Sequence, residues 1–155
     1  MTPTPLPLAL ESIFSVANTT ALVSWVVLIL LPRALVLRRL VQVLAVGGLC
    51  VAYAVLVQLF FFSVQGGGFS TLAAVQRLFE VPEVALAGWI HYLAFDLFVG
   101  LWIAQRADAM GLSRWLQAPL LVVTFMFGPI GLMVFGLAAV ARQDWRKPTH
   151  VETSA

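Results

Sequence analysis

Charge is what this sequence has least of. Only 10% of its 155 residues are Asp, Glu, Lys or Arg, while 61% are hydrophobic. A soluble domain carries about 25% charged residues. A chain this short has too much surface to hide that apolar excess in one core, so lipid rather than water must solvate much of it. Cysteine is nearly absent, and Cys50 alone excludes an intrachain disulfide. Histidine is scarce too. A two-histidine, one-carboxylate iron site would need both His91 and His150, yet His150 lies in a polar C-terminal tail. A carboxylate-rich site from Glu11, Glu83 and Asp96 has no supporting spacing. No metal and no cofactor is therefore assigned. The net charge of +2, with no basic stripe to bind phosphates, excludes nucleic acid as an expected partner. There is no Walker loop, no GxGxxG, no nucleophile elbow, no CxxC pair and no internal repeat. Met1 to Pro7 contain no Lys or Arg, unlike the charged start of a signal peptide.

What is present is a series of long apolar runs. At about 20 residues per spanning helix, the length accommodates four spans in one domain covering residues 1–155. The expected fold is all-α, an integral membrane four-helix bundle with spans near 9–31, 40–63, 83–105 and 119–141 and a polar tail over 142–155. Met1 to Pro7 read as extended chain, because proline blocks helix continuation. Pro32, Arg33, Arg38 and Arg39 mark a tight basic turn, and Gly66, Gly67 and Gly68 end the second span. Between spans two and three, Leu72, Val75 and Phe79 share one side of Ser70–Glu80, opposite Gln76, Arg77 and Glu80. That segment is too short to span and suits an interfacial helix. Pro119 is expected to open the fourth span.

Four spans place both termini on one side of the membrane. Arg77, Arg142, Arg146 and Lys147 fall on that side, against Arg33, Arg38, Arg39, Arg106 and Arg114. The bias used by the positive-inside rule is nearly cancelled. The arginines that follow the first span tip the balance weakly toward termini outside the cytoplasm.

The third span carries the unusual residues. His91 and Asp96 lie within roughly 5 Å of its midpoint, at 1.5 Å rise per residue. Ionisable groups at that depth cost about 2.5–3.5 kcal/mol on insertion scales and normally face protein or a cavity. On a helical wheel, Phe95, Phe98 and Trp102 cluster beside His91, followed by Tyr92 and Asp96. Ile90, Leu93, Ala94, Leu97 and Leu101 form the opposite arc, which reads as facing lipid. Tyr92 and Asp96 are an i, i+4 pair that can touch. His91 and Asp96 lie about 140° apart, so they need not bond but can border one wide cavity. Gly88 and Gly100, on the Asp96 side, permit close approach of a neighbouring helix. Each polar residue alone also reads as an interhelical staple: Asp96 bonded to Tyr92, and His91 to a carbonyl or hydroxyl.

Other spans offer partners. Glu11, Ser15 and Asn18 share a face of the first, where Glu11 also reads as a residue at the membrane surface. Gln42 and Tyr53 align on the second, in the manner of interhelical glue. In the fourth, Thr124 to Leu132 (TFMFGPIGL) breaks the helix, since Pro129 has no amide for the Phe125 carbonyl. Such a break survives in a membrane only where protein or a cavity satisfies it; a simple packing kink is the plainer reading.

The run Gly88–Trp89–Ile90–His91–Tyr92–Leu93–Ala94–Phe95–Asp96–Leu97–Phe98, followed by Phe125–Met126–Phe127–Gly128–Pro129–Ile130–Gly131–Leu132, resembles the abscisic-acid-deficient-four-like membrane family. The resemblance extends from about Phe14 to Val140 and is specific in those two stretches. Plant members are required to make neoxanthin from violaxanthin, opening a carotenoid epoxide to an allene and a tertiary alcohol. The resemblance implies an isomerase of a carotenoid or related isoprenoid and carries over His91, Asp96 and Pro129. No plastid transit peptide is evident, which points to a bacterial relative in the inner membrane. The reaction is redox-neutral: one proton leaves carbon and one reaches the epoxide oxygen. His91 is the expected base and Asp96 the proton donor or orienter. Trp89, Tyr92, Phe95, Phe98, Trp102 and Pro129 are the expected substrate-binding residues. The alternatives are a non-catalytic protein that binds a carotenoid or lipid and hands it to a pathway enzyme, and a small transporter or proton relay. Expected partners are membrane lipids, the isoprenoid ligand, and a second copy or a pathway enzyme.

Overall fold

Proline sets the start of the first helix. The computed structural model describes residues 5–31 and 34–144, and α1 spans Pro5–Leu30. The expected extended start to Pro7 is thus helical from Pro5. Amides in a first helical turn have no intrahelical acceptor, so Pro5 and Pro7 lose nothing there.

The second span is assembled from α2 (Leu35–Leu40), a π-helical stretch (Val41–Val46), α3 (Gly47–Phe60) and a 3-10 turn (Phe61–Ser63). It begins before residue 40, so Arg38 and Arg39 are helical rather than part of a turn; arginine is a good helix former. Pro32 and Arg33 lie outside the described residues. The glycine run does end this span, with Gly66 at φ +70°, a conformation that favours glycine. The short α4 (Leu72–Phe79) follows, its first turn capped by Thr71, whose Oγ1 accepts from the Ala74 amide at 3.1 Å. Its anchor is the buried Leu78, while Leu72 and Phe79, expected on its apolar side, are largely exposed.

Pro82 occupies the first turn of α5 (Pro82–Ala109), the position where its fixed φ helps. The last helix, α6 (Arg114–Asp144), opens before Pro119. The Ser113 carbonyl accepts from the Leu116 and Gln117 amides, so the helix is under way one turn before the proline. The carbonyl left free by Pro119 belongs to Trp115, which is 90% exposed. The Arg114 guanidinium donates to the carbonyls of Ile29 at 3.3 Å and Leu31 at 2.5 Å. A cation thereby closes the C-terminal end of α1. Of the expected tail, residues 142–144 continue α6 and 145–155 lie outside the described residues.

Four helices are long and apolar enough to cross a membrane: Leu8–Leu30, Leu35–Ser63, Pro82–Ala109 and Arg114–Ala141. No strand occurs among the described residues. The third of these, α5, is the hub, touching α1, α3, α4 and α6. Its buried side corrects the wheel reading. Ile90 and Leu97 are 0% exposed, and Leu93, Ala94 and Leu101 are buried beside them, whereas Phe95 is 58% exposed and Phe98 and Trp102 face outward. The arc expected to meet lipid is the packed one. In a bilayer, apolar side chains gain nothing by leaving lipid, so fit rather than hydrophobicity selects the face. Here the selecting features are the small residues Ala87, Ala94, Ala104 and Ala107, all buried.

Two apolar clusters result. One gathers Ala17, Ala21, Leu49, Leu56, Leu86 and Ile90 near the start of α5. The other gathers Trp25, Leu28, Val46, Leu97, Leu101 and Phe135 further along. Gly100 meets the Trp25 indole, and Gly88 meets the Phe79 ring. Both glycines therefore allow close approach, Gly100 to α1 and Gly88 to α4. In sequence Asp96 falls between Ala94 of the first cluster and Leu97 of the second, so a carboxyl stands where the two apolar clusters meet.

Candidate functional site

The local cause of the site is the break in α6. Phe127 has φ −145° and ψ 55°, outside helical values. One turn earlier, the Thr124 hydroxyl donates back to the Leu120 carbonyl at 2.8 Å, a bond that tends to bend helices. Two residues after Phe127, Pro129 withholds the amide that the Phe125 carbonyl needs. The bend is sharp. A Cβ on Gly131 would overlap Thr124, though residues seven apart in a straight helix are separated by about 10.5 Å.

A broken helix exposes carbonyls at the end of one arm and amides at the start of the next. Side chains from α5 meet both. The Tyr92 hydroxyl donates a long hydrogen bond, 3.4 Å, to the Met126 carbonyl. One helical turn on, the Asp96 carboxyl takes the Gly128 amide and the Tyr92 hydroxyl as its polar neighbours. A carboxyl oxygen accepts the amide that the break leaves without an intrahelical acceptor. The approach is so close that a Cβ on Gly128 would overlap Asp96 Oδ1. Asp96 is only 8% exposed, and its Oδ2 is buried without a hydrogen-bond partner among the described residues. An unpaired oxygen at that depth is costly and marks the group as more than a cap.

Asp96 and Tyr92 line a cleft of about 470 Å³ between α1, α5 and α6, with Asn18, Trp25, Trp89, Phe125 and Met126 among its walls. The walls are fixed. The Trp89 indole donates to Asn18 Oδ1 at 3.1 Å, and Asn18 Nδ2 in turn donates to the Phe14 carbonyl at 2.8 Å. Trp89 packs on Tyr92, with ring centroids 5.4 Å apart, and Trp25 packs on Phe125 at 5.5 Å. A groove of about 540 Å³ lined by Glu11, Phe14 and Glu83 also includes Trp89, so the two hollows adjoin there. Among the described residues, no three His, Cys, Asp or Glu side chains come together.

The structure thus gathers Trp89, Tyr92 and Asp96 of the expected residues and leaves the others apart. His91 lines a different cleft, of about 320 Å³, with Tyr53, Phe61, Phe69, Phe79 and Gly88, so it does not share a cavity with Asp96. Phe95 stacks on His91 at 4.8 Å. Trp102 meets Phe135 edge-on at 5.6 Å, and it lines neither cleft; nor does Phe98. Pro129 is exposed and acts through the break rather than as a wall. Asn18, offered by the first span as a partner, and Met126, from the broken stretch of the fourth, join the site; Trp25 enters without having been singled out. The legible signal was joint: a Gly-Pro break frees backbone groups, and a Tyr–Asp pair at i, i+4 is suited to satisfy them.

No curated protein and no solved structure matches the chain. A model of the ABA DEFICIENT 4-like family matches residues 12–135, which is most of the sequence, and the chain belongs to that family.

Proposed function

We propose that the protein is a membrane isomerase acting on a carotenoid or related isoprenoid, and that it acts in the cleft between α1, α5 and α6. The observation that carries this reading is a single carboxyl, Asp96, held against a helix break in a cleft whose other walls are mostly apolar and aromatic. The family suggests a link to neoxanthin synthesis. In that chemistry an epoxide C–O bond breaks, the oxygen takes up a proton and becomes an alcohol, and a carbon gives up a proton as the allene forms. Protons and electrons balance without a co-reactant.

One carboxyl group suffices for such a balance. It gives its proton to the epoxide oxygen and receives the carbon-bound proton, ending the turnover as it began. Tyr92 and the Gly128 amide hold that carboxyl in place. Trp89, Trp25 and Phe125 offer flat surfaces to a conjugated chain, and a low-dielectric cleft strengthens any hydrogen bond to the developing alkoxide. The separation of His91 from this cleft moves the acid–base role from a histidine–aspartate pair to Asp96 with Tyr92 as its positioning residue.

The test is pigment analysis in bacterial hosts that accumulate defined carotenoids, epoxides included. The expected result is a new product of unchanged mass that disappears with Asp96→Asn. Unaltered pigments across the panel would overturn the isomerase reading and favour a protein that holds and passes on its ligand. Solute or proton flux across sealed vesicles would instead favour a transporter.

A further inference from the structure

The cleft that contains His91 is left unused by this mechanism. It lies between α3, α4 and α5, and its walls are aromatic. Phe61, from the 3-10 turn, stacks on Phe69 of the glycine loop at 5.3 Å and 25°. Phe79 of α4 lays its ring on Gly88. Two polar side chains interrupt the apolar lining, His91 and Tyr53, with ring centroids 5.1 Å apart. Neither makes a hydrogen bond with another described residue; their contacts are with rings. His91 lies nine residues along α5 from Pro82, which is about 13 Å at helical rise and near the middle of a hydrocarbon core about 30 Å thick. An imidazole and a phenol at that depth, both with unused hydrogen-bonding capacity, are costly unless something satisfies them. Acyl chains cannot.

We infer that this cleft is a second binding site, for a hydroxyl-bearing isoprenoid ring, with the ring against Phe61, Phe69 and Phe79 and its hydroxyl at the polar edges of His91 and Tyr53. A hydroxyl is the matching group because it donates to an imidazole nitrogen while accepting from a phenol. The volume, about 320 Å³, lies at the small end of ligand cavities and suits one ring rather than a whole polyene. An apolar pocket with a few convergent polar groups is the usual form of a small-molecule site. The isoprenoid class of the ligand rests on the function proposed above; the presence of a hydroxylated-ring site does not, and it is independent of Asp96.

The experiment places the full chain, as His150→Ala, in lipid nanodiscs with 15N-labelled histidine. The sequence contains two histidines, so this leaves His91 as the sole imidazole signal. Zeaxanthin, which carries ring hydroxyls, and β-carotene, the same skeleton without them, are the probes. Zeaxanthin is expected to shift the His91 resonances and β-carotene to leave them in place. Tyr53→Phe is expected to weaken zeaxanthin binding about tenfold, the effect of one lost hydrogen bond of about 1.4 kcal/mol. His91→Phe, which keeps a ring between Tyr53 and Phe95, is expected to do the same when binding is followed by polyene circular dichroism. Asp96→Asn is expected to leave this binding intact, so loss of isomerase activity and loss of the second site are read separately. Equal shifts from both carotenoids, or none from either, would overturn the proposal. A His91 signal that follows protein density in the bilayer instead of ligand would also overturn it and assign the face to a second copy of the chain.

Discussion

Replacing Asp96 with Asn keeps its shape and its contact with the Gly128 amide while removing the transferable proton. If the carboxyl moves protons, isomerisation falls by about 10²–10⁴-fold, the usual contribution of a general acid–base group, while thermal stability changes little. Loss of stability in proportion to loss of activity would make Asp96 only a staple. Two glycines probe the packing around it. Ala at Gly128 would push a methyl group into Asp96 Oδ1, and Ala at Gly100 would push one into the Trp25 indole. Each is expected to cost about 1–3 kcal/mol, the range for overpacking. Of the two, Gly128→Ala alone is expected to abolish activity outright. Denaturation in detergent, read beside product yield, separates them.

Among the elements, α6 has the most to say. Its two arms meet at Phe127, and Tyr92 and Asp96 from α5 attend to the groups the break exposes. Pro129→Ala restores an amide to face the Phe125 carbonyl and removes a strong helix breaker. The helix is then expected to straighten toward a continuous span and draw Gly128 away from Asp96. Activity should fall sharply with no loss, and even some gain, in melting temperature. Activity unchanged in that variant would show that the break does not position the site. The break itself was legible in the sequence, since Gly-Pro flanked by glycine inside an apolar run has few other meanings. The buried side of α5 was not. Its residues are apolar almost all round, so a wheel carries little contrast, and the small side chains that decide packing weigh little in hydropathy. Placing polar and aromatic residues inward turned His91, Phe95, Phe98 and Trp102 the wrong way. Asp96 was read correctly as buried, because a carboxyl at that depth has few other options.

For the molecule as a whole, the long apolar runs and the turn residues between them pointed to the helical architecture, and the four long apolar helices follow the expected spans to within a few residues at most ends. The ends that moved most, at Pro5, Leu35, Ala109 and Arg114, are places where a proline or a charged residue was read as marking a boundary and is instead helical or sits inside a longer helix. If all four long apolar helices cross the membrane, both ends of the chain lie on one side. Reporter fusions at the two termini should therefore agree in sidedness, and opposite readings would contradict a four-span arrangement. Cys50 is exposed on α3, and Cys50→Ser provides a cysteine-free background for mapping the loops. A cysteine placed at Gly67 and one placed at Gly111 should label from opposite sides of the membrane.

A single-substrate assay with the purified chain in nanodiscs decides whether Asp96 moves protons. One epoxycarotenoid is added, and products are separated and weighed by mass spectrometry for the native protein and Asp96→Asn. The expected result is an isomer of identical mass from the native protein and none from Asp96→Asn, although the variant melts at the same temperature. The same isomer formed at the native rate by Asp96→Asn would contradict it.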